Sequence, residues 1–168
     1  MAQELETEVE TENTYLQMVA FHLGDEEFGV DIMQVQEIIR MQEVTRIPQA
    51  PHFVKGVINI RGKIIVVVSL DKCLGLESKE TDEHSRIIVV EVGGSVVGMV
   101  VDSVSEILSI PQSSIEPAPD IIASKINADY LKGVGKLENR LLILLDLEKI
   151  LSEEQVNQIS QLSETQQT

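Results

Sequence analysis

Few residues in this sequence have the type and spacing that catalysis or metal binding requires. His22, His52 and His84 come from separate segments, and none has a second ligand at helical or hairpin spacing. Each therefore reads as a surface or strand-end histidine rather than a metal ligand. Cys73 is the single cysteine, set in LDKCLGL, which excludes an internal disulfide framework and a cysteine-rich zinc site and suits a small buried hydrophobe. There is no G-x-S-x-G, Walker loop or Rossmann fingerprint, and Gly93-Gly94 falls in a hairpin turn with no helix behind it to hold phosphate. Asp31 and Asp102 each follow an apolar strand and could form an acid pair for hydrolysis if the fold brought them together. The expectation is a protein without catalytic residues, metal or cofactor, with a small Asp31/Asp102 enzyme as the alternative from a different class.

The elements behind these residues are built from short strands. Apolar residues make up 43% of the 168-residue chain, but with two Tyr, three Phe and no Trp the interior must be Val, Ile and Leu, many of them β-branched and suited to strands. That length fits one domain or two small ones sharing a core. The net charge of −15 argues against nucleic acid, which needs a basic face, and leaves proteins or cations as partners. The longest apolar run, Ile64 to Val68, is far short of the roughly 20 residues of a membrane helix, so no direct membrane insertion is expected. The start of the chain lacks the pattern of a secretory signal, and the expected location is the cytoplasm.

The chain is written twice. YLQMVAFHLG, a turn at Gly24-Asp25-Glu26-Glu27, and FGVDIMQVQEII form a hairpin unit that recurs at RIIVVEVGGSVVGMVVDSVSEIL, an offset of 69 that lays Glu37 over Glu106 and Ile38 over Ile107. KGVINIRGKIIVVVSLDKCL recurs 77 residues later as KGVGKLENRLLILLDLEKIL, so the second copy gains eight residues, around DIIASKINADY. A pair of this kind marks an internal duplication. Each copy holds about five short strands, and closing each set into a small barrel removes exposed edges. Residues 1–14, with Glu at 4, 6, 8, 10 and 12, read as a disordered acidic tail. Ser152 with Gln155, followed by Val156, Ile159 and Leu162, reads as a short amphipathic helix ahead of a frayed end, 153–168.

The copies disagree where Asn59-Ile60-Arg61-Gly62-Lys63 faces Lys136-Leu137-Glu138-Asn139-Arg140. Gly62 and Asn139 are expected to share one left-handed turn position. Arg61 faces Glu138, and two readings stand open: a forked contact to a partner's carboxylate or carbonyl, or an internal salt bridge.

FHLGDEEFGVDIMQVQEII, VTRIPQAPHFVKGVINIRGKIIVVVSL, VVGMVVDSVSEIL and KGVGKLENRLLILLDLEKIL, in that order, closely resemble the CheW-like domain family of bacterial chemotaxis coupling proteins, over roughly residues 15–152. The same domain ends the histidine kinase CheA and begins CheV; with only short tails here, a stand-alone coupling protein is expected. The resemblance implies a mainly β fold of two pseudo-symmetric five-stranded SH3-like barrels packed together, with short helices. The halves would be roughly 15–80 and 84–151, with exchange of strands between them left open. It implies a non-enzymatic adaptor, monomeric alone, that joins chemoreceptor cytoplasmic hairpin tips to the regulatory domain of CheA and is recruited to membrane-associated receptor clusters. A scaffold in a non-flagellar chemosensory array is the alternative. Carried onto this chain, the receptor-facing candidates are Val35, Glu37, Asn59, Arg61, Val100 and Ile107, with barrel core as the other reading of the apolar ones. The kinase-facing candidates are Val44, Ile47 and Phe53, as an exposed apolar patch on the first barrel. Gly56 is expected to hold a backbone turn that positions both faces.

Overall fold

The computed structural model describes residues 14–151. The acidic tail and the C-terminal helix expected from the sequence lie outside those residues, apart from Thr14. Strands alternate with tight turns as the repeat implies: β1 (Tyr15–Leu23) and β2 (Glu26–Asp31) form the first hairpin, a 3-10 turn over Ile32–Gln34 leads into β3 (Val35–Arg40), and β4 (Val54–Ile60) and β5 (Lys63–Ser69) end in the one-turn helix α1 (Leu70–Cys73). The second copy repeats the plan: β6 (Arg86–Val92), β7 (Ser95–Val101), β8 (Ser103–Pro111), the two-residue β9 (Ile115–Glu116), β10 (Leu131–Leu137), β11 (Arg140–Leu145) and the one-turn helix α3 (Leu147–Ile150). The eight extra residues supply the helical turn α2 (Asp120–Ala123) ahead of β10.

The two copies do not fold side by side. One sheet runs β8-β1-β2-β11-β10-β9 and the other β3-β6-β7-β5-β4, so each copy's leading hairpin, β1–β2 or β6–β7, joins the later strands of the other copy. Each sheet has two such joints: an antiparallel one, β1 with β8 or β3 with β6, and a parallel one, Phe28 to Ile143 in one sheet and Val66 to Val97 in the other.

Alternation along the strands sorts the apolar residues into three layers. Phe21, Phe28, Val66, Val68, Ile88, Val90, Met99 and Leu145 fill the layer between the sheets. The opposite face of the five-stranded sheet buries Ile58, Val67, Ile87 and Val89, and that of the six-stranded sheet buries Met18, Ala20, Ile110 and Leu142. Each sheet is therefore buried on both faces although the other sheet covers only one, which requires each to curl over its own small core. Gly98 and its repeat partner Gly29 permit the curl: a Cβ on Gly98 would stand 2.8 Å from Ile87 Cγ2, and one on Gly29 would stand 2.9 Å from Leu142 Cδ2.

Three expectations are corrected. The sheets have six and five strands, and neither hydrogen-bonded ladder closes into a ring. After β3 the chain reaches β4 through a single bridge, Thr45 to Val57, because Pro48 and Pro51 then remove the donors a longer ladder needs. Its twin is the short β9, where Glu116 pairs with Val134. Gly56 does not sit in a turn: it lies within β4 at a bulge, φ 152°, with the Thr45 carbonyl so close that a Cβ would come within 2.1 Å of the oxygen. Finally, Gly62 and Asn139 are not equivalent. Arg61 (φ 51°) and Gly62 (φ 86°) are both left-handed, while Asn139 is not. Asn59 explains the difference, since its Oδ1 accepts from the Gly62 amide at 2.9 Å, and the second copy has Lys136 at that position, without an acceptor to lock the turn.

Candidate functional site

The tip between β4 and β5 is a two-residue hairpin loop, Ile60 facing Lys63, with the paired left-handed residues of a type I′ turn. Such a loop is rigid, and it presents Arg61 outward. On β3, a bulge lets Val35 face Val90 while Glu37 faces Val89. Val90 belongs to the layer between the sheets and Val89 to the small core, so the bulge turns Val35 inward to the shared layer and Glu37 to the curled face. There Arg61 Nη2 donates to Glu37 Oε2 at 2.8 Å, with the arginine side chain 75% exposed. β3 and the β4–β5 hairpin belong to opposite ends of the sheet order, so this ion pair spans the gap where the ladder does not close. Glu37 Oε1 is buried with no donor among the described residues.

The second copy makes a corresponding pair with a different residue. Arg140, two positions beyond Glu138, lies 3.4 Å from Glu106, the twin of Glu37, and also donates to the half-buried Glu27 at 2.9 Å. The internal salt bridge left open for Arg61 thus exists in both copies. What distinguishes the first is that its arginine sits at the outermost point of the loop.

The structure divides the other receptor-facing candidates. Asn59 is exposed beside Arg61 and holds the turn. Val35 is half-buried against the inter-sheet layer, and Val100 is buried in the small core. Ile107 is 57% exposed but stands on β8, in the other sheet. Its repeat partner Ile38, on β3, is exposed too, and the offset of 69 was the signal that could have added it.

Of the kinase-facing candidates, Phe53 is a correction: at 5% exposure it belongs to the inter-sheet core, because the chain turns inward there and the Phe53 carbonyl accepts from Ser69 N at 2.8 Å. Val44 and Ile47 are half-buried and line an open groove of about 710 Å³ between the 44–52 loop, the start of β4 and Lys72. A more exposed apolar patch was missed. Ile121, 71% exposed on α2, and Leu141 flank a second groove of about 480 Å³ edged by the Lys125–Glu26 and Arg140–Glu27 ion pairs. The eight-residue insertion that breaks the repeat was its only trace in the sequence.

The residues singled out for chemistry are occupied structurally. Asp31 accepts from Met33 N at 2.9 Å and Asp102 accepts from Gly24 N at 2.7 Å. Asp31 pairs with Met18 on β1 while the Asp102 amide bonds to the His22 carbonyl, four residues or roughly 13 Å further along that strand, so the two carboxylates do not form a pair. His22 Nδ1 lies 3.0 Å from Ser105 Oγ, His84 stands beside Glu83, and His52 packs edge-on to Phe53. No cluster able to hold a metal ion occurs among the described residues. The Cys73 thiol is half-buried rather than fully buried, and burial, helped by the Asp71 charge, pushes its pKa up to about 12. No helix among the described residues is long and apolar enough to cross a membrane.

This arrangement offers a rigid charged tip and shallow grooves. Residues 17–155 match the family model of the CheW-like domain. The chain is 44% identical over 140 residues to Chemotaxis protein CheW of Klebsiella aerogenes, covering 83% of this chain and 84% of that protein. It is 33% identical over 139 residues to Chemotaxis protein CheW of Helicobacter pylori, covering 83% of each. Its fold is similar to the solved structure of the scaffolding protein TtCheW from Thermoanaerobacter tengcongensis, with a TM-score of 0.76 at 34% identity over 84% of this chain and 96% of that one. The doubled fold, the order of its motifs and these likenesses agree, and the chain belongs to the CheW-like domain family.

Proposed function

We propose that this protein is a non-enzymatic adaptor that couples the cytoplasmic tips of chemoreceptors to the histidine kinase CheA, as a cytoplasmic protein recruited to membrane-associated receptor clusters. The observation that carries this reading is the placement of Arg61, 75% exposed beside Glu37 at the outermost point of the family scaffold, on a turn too rigid to need ordering on contact. A receptor tip is a helical hairpin, and a helix laid on a surface wants a few apolar anchors and charges that fix its register. Arg61, Glu37 and Asn59 supply the charges and polar groups, and Ile38 and Ile107 supply exposed apolar surface. The kinase's regulatory domain is assigned to the face carrying Val44 and Ile47.

Reconstitution tests the reading: CheA activity is measured with receptor-containing membranes and this protein, against its Arg61→Glu form. The exposed pair contributes only about 0–1 kcal/mol to stability, so the variant should fold normally while receptor control of the kinase is lost. Unchanged control would remove Arg61 from the interface. Failure of the unmodified protein to bind either receptor or kinase would sink the adaptor reading itself.

A further inference from the structure

We infer that the groove beneath the 44–52 loop is a docking site for an extended, carboxylate-bearing segment of a protein partner. The site is unusual for this chain, which has 28 acidic and 13 basic residues. Arg46, Lys55, Lys72 and His52 converge on the groove, and no carboxylate lines it. None of Arg46, Lys55 and Lys72 makes an ion pair among the described residues, a state shared with Arg40, Lys63, Lys79, Arg86, Lys132 and Lys149, none of which lines this groove. Asp71, next to Lys72, does not line the groove: it is buried, with its carboxylate turned to the amides of Lys72 at 2.7 Å and Lys79 at 3.4 Å. Three cations gathered in a concavity without internal partners make a local positive field in a negative molecule.

The rest of the lining selects the occupant. Val44, Ile47 and Val54 give the groove an apolar component, which a free phosphate or other small anion could not use. A peptide with carboxylates on one side and apolar residues on the other uses both. The wall is preformed: Pro48 and Pro51 fix their own φ angles, and Gln49 between them is held left-handed at φ 63°, a conformation that persists only where the surroundings dictate it. A rigid wall lowers the ordering cost of docking. The site deepens the kinase-facing reading above, since Val44 and Ile47 lie in it, but its test requires neither kinase nor receptor.

The probe is a fluorescein-labelled peptide of six alternating Glu-Val pairs, with a Gln-Val peptide as control, titrated by fluorescence anisotropy with the full chain. Arg46→Glu with Lys72→Glu, both exposed positions, should weaken binding of the Glu-Val peptide tenfold or more with an unchanged circular dichroism spectrum. Lys63→Glu, exposed but outside the groove, should leave it unaltered. Three results would overturn the inference: equal binding to all variants, equal binding of the Gln-Val peptide, or displacement of the probe by inorganic phosphate at matched concentration. A rise in affinity on replacing the five tail glutamates by glutamine would also overturn it, because the groove's occupant would then be the chain's own residues 4–12.

Discussion

Gly56→Ala is the perturbation whose cost the structure sets most directly. A Cβ at this position would stand 2.1 Å from the Thr45 carbonyl oxygen, 2.7 Å from its carbon and 2.9 Å from Val44 Cγ1. Taking 3.0 Å as the closest approach a real Cβ makes, the Thr45 carbonyl must retreat by 0.9 Å (3.0 − 2.1). That carbonyl accepts from Val57 N at 2.8 Å, and Thr45 N donates to Val57 O at 2.9 Å, so the retreat breaks the one bridge linking the 41–45 segment to β4. Two hydrogen bonds at about 1 kcal/mol each and an alanine forced to φ 152° at about 1–3 kcal/mol give a loss of roughly 3–5 kcal/mol, a large share of a small domain's stability. The twin Gly133, at φ 142°, needs a shift of 0.4 Å (3.0 − 2.6) from the Glu116 carbonyl and should cost about 2 kcal/mol. Gly62, at φ 86° with open space around it, should cost about 1 kcal/mol. Urea unfolding of the three alanine variants reads the order Gly56, Gly133, Gly62. If Gly56→Ala were no costlier than Gly62→Ala, the close approach of Thr45 would not be what fixes this corner of the sheet.

Cys73 should alkylate slowly while the protein is folded. With the thiol at about 12 against an ordinary 9.0, iodoacetamide at pH 8 meets roughly a thousandfold less thiolate than in the unfolded chain. The same shift makes stability fall as pH rises from 9 toward 12, since there the unfolded chain has released a proton that the folded chain keeps; parallel labelling in native buffer and in urea, with unfolding curves at pH 8 and 10.5, checks both. Phe53→Ala should lower stability by about 3–5 kcal/mol through an unfilled cavity, whereas the half-buried Val44→Ala should cost under about 1.5 kcal/mol. Kinase pull-down with the folded Val44→Ala protein then reports on the surface itself, and normal stability of Phe53→Ala would refute the buried placement.

The duplication was legible because it lies in strings of apolar residues and turn glycines that survive as text, and the strand order within each copy followed from it. The exchange of hairpins between copies was not, since β2 pairs with β11 and β7 with β5 across more than a hundred and about thirty residues respectively, and nothing local records which strand a given edge will meet. Phe53 was misread for a related reason. In APHFVKG it stands beside a proline and a histidine in a segment with no clear alternation, so the sequence offers no face on which to place it. The groove cations were equally hidden: Arg46, Lys55 and Lys72 are spread over 26 positions (72 − 46) and meet only because α1 packs back beside the 44–52 loop.

The difference between NIRG and KLEN takes on another meaning in three dimensions. Both copies pair a strand glutamate, Glu37 or Glu106, with an arginine from the facing hairpin, so the ion pair is common to the duplicated fold and is no sign of function in itself. The copies differ in where the arginine stands. Arg140 begins β11 and is tied a second time to the half-buried Glu27, so two of its nitrogens face carboxylates of the same molecule. Arg61 occupies the left-handed tip, held there by Asn59, and uses one nitrogen on Glu37 while its other donors face solvent. An arginine has five donors in a fixed fork; Arg61 spends one on a carboxylate at a rigid point, where Arg140 faces two carboxylates. Asn59 is therefore as necessary as Arg61: with Lys136 at its position the turn is not left-handed, and the charge would not be held at the tip.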